Sequence, residues 1–155
     1  MITIAQPADA SEIHHVMLAA FEEYRDSSVP SSALEEKVEL IKSSLEEGQE
    51  KAYLYWKDDR AVGAVRFKEQ EAALYFFRLS VRPEERGRGI ARQLLQALED
   101  YATTYSFDVI LCQVRLSEER NIALYKNNGY YISGNKTVIK PDGKQVETAL
   151  MTKKL

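Results

Sequence analysis

Val81-Arg82-Pro83-Glu84-Glu85-Arg86-Gly87-Arg88-Gly89-Ile90-Ala91 is the stretch on which the reading of this chain turns. Before it lies a short apolar and aromatic run, Leu74-Tyr75-Phe76-Phe77-Arg78-Leu79-Ser80-Val81. Its β-forming residues, ended by a Pro-containing turn, predict a strand. After it, Leu94, Leu95, Leu98, Ala102 and Tyr105 recur every three or four residues, which predicts one face of a helix. The order is strand, basic glycine loop, helix. Gly87 and Gly89 carry no Cβ, so the backbone there can approach a ligand closely. The first turn of a helix exposes unpaired N–H groups and the positive end of the peptide dipoles, and both favour a phosphate. Arg86, Arg88 and Arg92 add forked donors suited to phosphate oxygens. The stretch therefore predicts a pyrophosphate cradle. A nucleotide-triphosphate loop is excluded, because no Lys-Ser or Lys-Thr pair follows the glycines. A dinucleotide fingerprint is excluded because Arg92 stands where its last Gly or Ala belongs.

The rest of the chain sets the limits. At 155 residues and 45% hydrophobic content, it is long enough to bury a full core as one domain, residues 1–155, without disulfides. Net charge is −3, which argues against a broad basic face for nucleic acid; the arginines around the glycine loop suit one small polyanion instead. A single cysteine, Cys112, rules out an internal disulfide framework and fits a reducing compartment. No signal-like N-terminus and no apolar run near the ~20 residues needed to cross a bilayer is present, so a soluble cytoplasmic protein is expected, with no membrane partner. His14 and His15 are adjacent on a predicted helix and point apart, so no metal site is expected.

Periodicity gives the order β-α-α-β-β-β-α-β-α-β-β, one mixed α/β sheet domain. Ile2–Ala5 reads as a strand. Asp9-x-x-Glu12 resembles a capping box ahead of a helix whose buried face is Ile13, Met17, Ala20, Phe21 and Tyr24. Leu34, Val38, Ile41 and Leu45 mark a second helix with an acidic outer face (Glu35, Glu36, Glu39, Glu46, Glu47), stopped near Gly48. Lys51–Trp56 and Ala61–Phe67 form a hairpin around Asp58-Asp59-Arg60. Asp108–Arg115 is a buried strand, residues from about Asn121 to Asn127 a short helix, and Tyr130–Lys140 with Lys144–Lys154 a last hairpin.

Arg86-x-x-Gly89-x-Ala91 resembles the [Q/R]-x-x-G-x-[G/A] motif with which the GNAT superfamily of N-acetyltransferases binds the pyrophosphate of coenzyme A. Leu79-x-Val81-x-Pro83-Glu84 is similar to that family's strand-end lead-in. Asn121-Ile122-Ala123-Leu124-Tyr125 with Gly129-Tyr130 is similar to its second motif, and Glu147–Leu155 to its last strand. The resemblance covers nearly the whole chain in order. It implies a GNAT-like acyl-CoA N-acyltransferase fold, acetyl-CoA as co-substrate, and acetyl transfer to a primary amine by direct attack in a ternary complex.

By that resemblance Leu79, Ser80, Val81, Arg86, Gly87, Arg88, Gly89, Ile90, Ala91, Arg92 and Asn121 bind the cofactor, and Tyr125 protonates the leaving thiolate. Amides near Leu79 and Val81 would hold the pantetheine or the thioester oxygen. From spacing alone Tyr125 reads first as a core aromatic, and only the motif favours the acid; Asn121 reads equally as a helix cap. Glu118 stands where the family more often has Asn, and Tyr75 where some members have a glutamate base. A chain of ordered waters to solvent, with no dedicated base, is then the default, and Glu22, Glu23 and Tyr24 are the candidate side chains. Arg78 reads either as facing the acceptor cleft or as a surface arginine, Cys112 as strand packing, and Tyr75-Phe76-Phe77 as sheet packing that could also line an acceptor pocket. The rival functions are a CoA-binding module without turnover and an interaction module using the acidic second helix. A polyamine, antibiotic, amino acid or peptide amine all stay open as acceptor, as does monomer against homodimer.

Overall fold

The computed structural model describes residues 1–27 and 29–155. Among the described residues, seven strands and four α-helices follow in the order β1 (Ile2–Ile4), α1 (Ala10–Phe21), α2 (Val38–Glu46), β2 (Lys51–Lys57), β3 (Arg60–Gln70), β4 (Ala73–Val81), α3 (Ile90–Thr104), β5 (Val109–Arg115), α4 (Glu119–Asn127), β6 (Tyr131–Ile139) and β7 (Gln145–Lys154). The strands form one sheet in the order β1-β2-β3-β4-β5-β7-β6. All neighbours are antiparallel except β4 and β5, which the α3 crossover makes parallel. The expected fold class and element order are both found. No described helix is long and apolar enough to cross a membrane.

The sheet is covered on both faces. On one side α1 and α2 bury Ile13, Val16, Met17 and Ile41 against Leu54, Ala61 and Ala64. On the other, Ile90, Leu94, Leu95 and Leu98 of α3 and Tyr125 of α4 pack on Val62, Val65, Phe76 and Ile110. Because β3 lies in the middle of this sandwich, seven consecutive residues, Ala61–Phe67, are all buried. One of them is charged. Arg66 keeps its charge inside the sheet through Glu50 (2.9 and 3.0 Å) and Glu36 (2.6 Å), and Glu36 in turn accepts from Arg78 at 2.8 Å.

Gly63 brings α3 onto β3. A Cβ there would lie 2.7 Å from Ile90 Cγ2 and 3.2 Å from Leu94 Cδ1, so only a residue without a side chain lets the start of α3 sit this close.

Four local expectations change. Asp9 does not cap α1; its carboxylate accepts from the Gln6 N–H at 2.8 Å and closes the preceding Pro7–Asp9 turn, which directs it away from Glu12. Tyr24 lies beyond α1, in a 3-10 turn over Glu22–Tyr24. The second helix is split: Leu34 belongs to a separate 3-10 turn, Ser32–Glu35, capped by the Ser31 hydroxyl at 3.2 Å, and extended backbone at Glu36 and Lys37 separates it from α2. That break removes Glu36 from the acidic outer face and turns it into the ion-pair chain. Finally, β3 runs on to Gln70 and meets β4 through a two-residue turn, Glu71-Ala72, both at positive φ.

Candidate active site

The parallel pairing of β4 and β5 covers only Leu74–Ile110 and Tyr75–Leu111. Beyond Tyr75 the two strands part. The cause lies on the other side of β4: the register to β3 slips between Ala64 and Arg66, and Arg78 at the slip has φ of +54°. This is a β-bulge, which bends its strand and increases the local twist. A bulky residue in the left-handed region is strained, and Arg78 is tied down there by Glu36 and by Ser32 Oγ at 3.0 Å. Two clefts adjoin the separated strands.

The first cleft, about 300 Å³, is bordered by Leu79, Val81, Arg86, Gly87, Gly89, Ile90, Ala91, Arg92 and Asn121, with Arg120 and Leu124 facing them. Gly87 and Gly89 have φ of +80° and +77°, which favour glycine, and a Cβ at either position meets no protein atom closer than Gln93 Nε2 at 4.0 Å. Arg86 N–H donates to Pro83 O, and the next backbone donor with an intramolecular backbone acceptor is Gln93 N–H, to Gly89 O at 3.1 Å. The six amides from Gly87 to Arg92 between them have no acceptor among the described residues. Six consecutive free N–H groups at the positive end of α3 make a concave anion site.

The arginines are arranged less simply than the sequence suggests. Arg86 is held by Ala20 O at 3.2 Å and by Glu23 at 3.1 Å, so part of its task is to fasten the end of α1 to the loop. Arg88 pairs with Glu85 at 3.1 Å and lies outside the cleft wall; Arg92 borders the cleft and is exposed. Ser80 borders neither cleft. It is 2% exposed and its hydroxyl donates to Arg78 O at 2.9 Å, so its side chain braces the bulge. Arg120, paired with Glu23 at 3.2 Å, is a cationic wall residue that the sequence reading passed over, having no motif to mark it.

The second cleft, about 390 Å³, is walled by Tyr75, Phe77, Arg78, Cys112, Arg115, Glu118, Tyr125 and Lys140 among others. The two clefts share four residues: Phe21, Tyr24, Leu79 and Asn121. Tyr125 packs edge-on against Phe76, with ring centroids 5.5 Å apart. Its hydroxyl has no hydrogen-bond partner among the described residues and, unlike the sealed hydroxyl of Tyr130, is not shut off from the cleft. Burial, reinforced by Cys112 and the neighbouring tyrosines, raises its pKa well above the usual phenol value, so it stays protonated. Asn121 makes no cap: the N-cap of α4 is Glu118, and the Asn121 side chain, at the junction of the clefts, has no hydrogen-bond partner among the described residues.

The candidate bases separate. Glu22 is exposed and paired with Arg25, and Glu23 is taken by Arg86 and Arg120. Tyr24 donates to Glu118 at 2.7 Å, and burial and that carboxylate raise its pKa, so it too is a phenol. Glu118 is thus the carboxylate on the wall of the second cleft, oriented by Tyr24. Only the departure from the common Asn had marked it in the sequence. Burial pushes the Cys112 thiol up to about 12, so it is protonated and a poor nucleophile. Among the described residues no group of three His, Cys, Asp or Glu could hold a metal ion.

The whole architecture is that of known acetyltransferases. An acetyltransferase of the GNAT family from Streptococcus pneumoniae superposes with TM-score 0.80 at 17% identity, covering 100% of this chain and 99% of its own. PaiA N-acetyltransferase from Thermoplasma acidophilum, solved in complex with coenzyme A, gives TM-score 0.80 at 15% identity over 100% and 99% of the two chains. Ribosomal-protein-S18-alanine N-acetyltransferase from Escherichia coli gives 0.76 at 18% over 99% and 94%. No curated protein matches the sequence. The model of the acetyltransferase (GNAT) family matches residues 13–130, from α1 through the glycine loop to the residue before β6, and the chain belongs to that family.

Proposed function

We propose that residues 1–155 act as one acetyl-CoA-dependent N-acetyltransferase domain that moves the acetyl group to a primary amine by direct attack in a ternary complex. The observation that carries this reading is the meeting of the two clefts at Phe21, Tyr24, Leu79 and Asn121, with Tyr125 and Glu118 beside the meeting point. The free amides of Gly87–Arg92 fit a pyrophosphate, and the edge of β4 at Leu79 and Val81 would take the pantetheine arm. The thioester then lies at the junction, where an amide of β4 polarises its carbonyl.

Glu118 attracts the incoming ammonium and orients it, and its proton leaves through Glu118 to water. At pH 7 freeing an amine of pKa near 10 costs about 4 kcal/mol. Tyr125 donates to the leaving sulfur; its raised pKa is no obstacle, because the same desolvation makes a developing thiolate more basic. A protonated Cys112 is poorly suited to an acetyl-cysteine route, which favours direct attack. The cytoplasm is the compartment we assign, in keeping with a free, buried Cys112.

The test is thiol release from acetyl-CoA across a panel of amines, with CoA affinity measured in parallel. Turnover on at least one amine supports the proposal; tight CoA binding with no turnover on any amine would make the protein a CoA-binding module.

A further inference from the structure

The wall of the second cleft is electrically uneven. It carries four cationic side chains, Lys68, Arg78, Arg115 and Lys140, against one carboxylate, Glu118, on a chain whose net charge is −3. Arg78 is accounted for: Glu36 is shared between Arg66 and Arg78, and Arg66 also holds Glu50, so that chain of four charges is neutral. Lys68 lies 5.8 Å from the centres of the Tyr75 and Phe77 rings. Arg115 and Lys140 are different. The Arg115 guanidinium donates to two backbone carbonyls, Val29 O and Pro30 O, which fix its position without neutralising it. The Lys140 ammonium has no hydrogen-bond or ion-pair partner among the described residues. The acids nearby are Glu118, already engaged by Tyr24, and Glu35 and Asp142, which act on Lys140 only from beyond ion-pair distance.

Resting on the transfer reading above, we infer that Arg115 and Lys140 form a subsite for a carboxylate, and that the acceptor is a small amine carrying both charges, an amino acid or a close relative. The cleft is dipolar in the matching sense: Glu118, three residues beyond Arg115 across the turn that leaves β5 and coupled to it electrostatically, meets the ammonium while Arg115 and Lys140 meet the carboxylate. Burial and the positive charges of Arg115 and Arg78 lower the pKa of Lys140 and outweigh the more distant Glu35 and Asp142. Phe21, Tyr75 and Phe77 leave room for an apolar side chain. A polyamine would set its second charge against Arg115, so it is disfavoured.

The experiment is isothermal titration of CoA-saturated protein with N-acetyl-L-phenylalanine, and with its neutral carboxamide. Charge-assisted hydrogen bonds from two cations should favour the acid by about tenfold or more. Lys140→Gln, which breaks no internal contact, should remove most of that preference while leaving CoA affinity unchanged. Equal binding of acid and amide, absence of binding by both, or a full preference retained in Lys140→Gln would overturn the subsite. A protein that prefers the acid yet acetylates no amine would sink the transfer reading and leave the subsite standing.

Discussion

Tyr125 joins a packing task to the chemical one proposed for it, and the two separate on mutation. Tyr125→Phe keeps the ring on Phe76, so folding and acetyl-CoA affinity should hold, while kcat and kcat/KM fall together by ~10²-fold or more. Because its pKa is raised, the wild-type rate should climb with pH towards the amine pKa, with no loss from phenol ionisation up to pH 9. A steady-state pH profile of both proteins decides it; equal rates would reduce Tyr125 to packing. Gly89 tests the cradle. A valine there would strain a left-handed residue severely, so alanine is the cleaner probe, costing about 1–2 kcal/mol of stability. Its Cβ meets only Gln93 Nε2, at 4.0 Å, so a CoA affinity lowered at least tenfold must come from the ligand's own space. An unchanged Kd by titration would remove the loop from the site.

Among the elements, α3 is placed as much by what β3 lacks as by its own apolar face. Gly63→Ala would push a methyl to 2.7 Å from Ile90, and overpacking of this kind costs about 1–3 kcal/mol. Thermal unfolding should show a lower Tm, and CoA should bind more weakly, since the start of α3 and its free amides must shift. A variant equal to wild type in both would mean Ile90 repacks without moving the helix. The sequence showed α3, the glycine loop and both hairpins because their signals are local: heptad-like apolar spacing, paired glycines, Asp58-Asp59, Pro141-Asp142-Gly143. It did not show the tight turn at Glu71-Ala72, which lacks the usual glycine or asparagine, nor the break before α2. Glu118 was visible only as an oddity, because its value depends on Tyr24, 94 residues away. Arg88 and Ser80 carried the right chemistry in the sequence, but the first lies outside the first cleft and the second borders neither cleft.

Across the whole molecule, the chain Glu50–Arg66–Glu36–Arg78 links the α2–β2 junction, the sheet interior and the bulge. Arg66→Met should cost about 3–5 kcal/mol in urea unfolding, since it strands a carboxylate at Glu50 that is 4% exposed and leaves Glu36 only one partner. The same chain sets an acid limit. Burial works to raise the Glu36 pKa, but Arg66 and Arg78 outweigh it and the net shift is downward. Its folded pKa therefore lies below the unfolded value of about 4.3, so its stabilisation is complete above that range and is lost as pH falls through the folded pKa. Unfolding measured from pH 7 to pH 3 should show that loss in the wild type and less of it in Arg66→Met.

Phe21, Tyr24, Leu79 and Asn121 belong to both clefts, and common walls impose thermodynamic reciprocity. If CoA settles these four side chains and so tightens the acceptor by some factor, the acceptor must tighten CoA by the same factor. Titrating each ligand in the presence and absence of the other yields two ratios that must agree. Their common size measures how much of each compartment's shape is supplied by the occupant of the other. A ratio of one would mean the four residues are already rigid, and the two compartments would then fill in random order without communication.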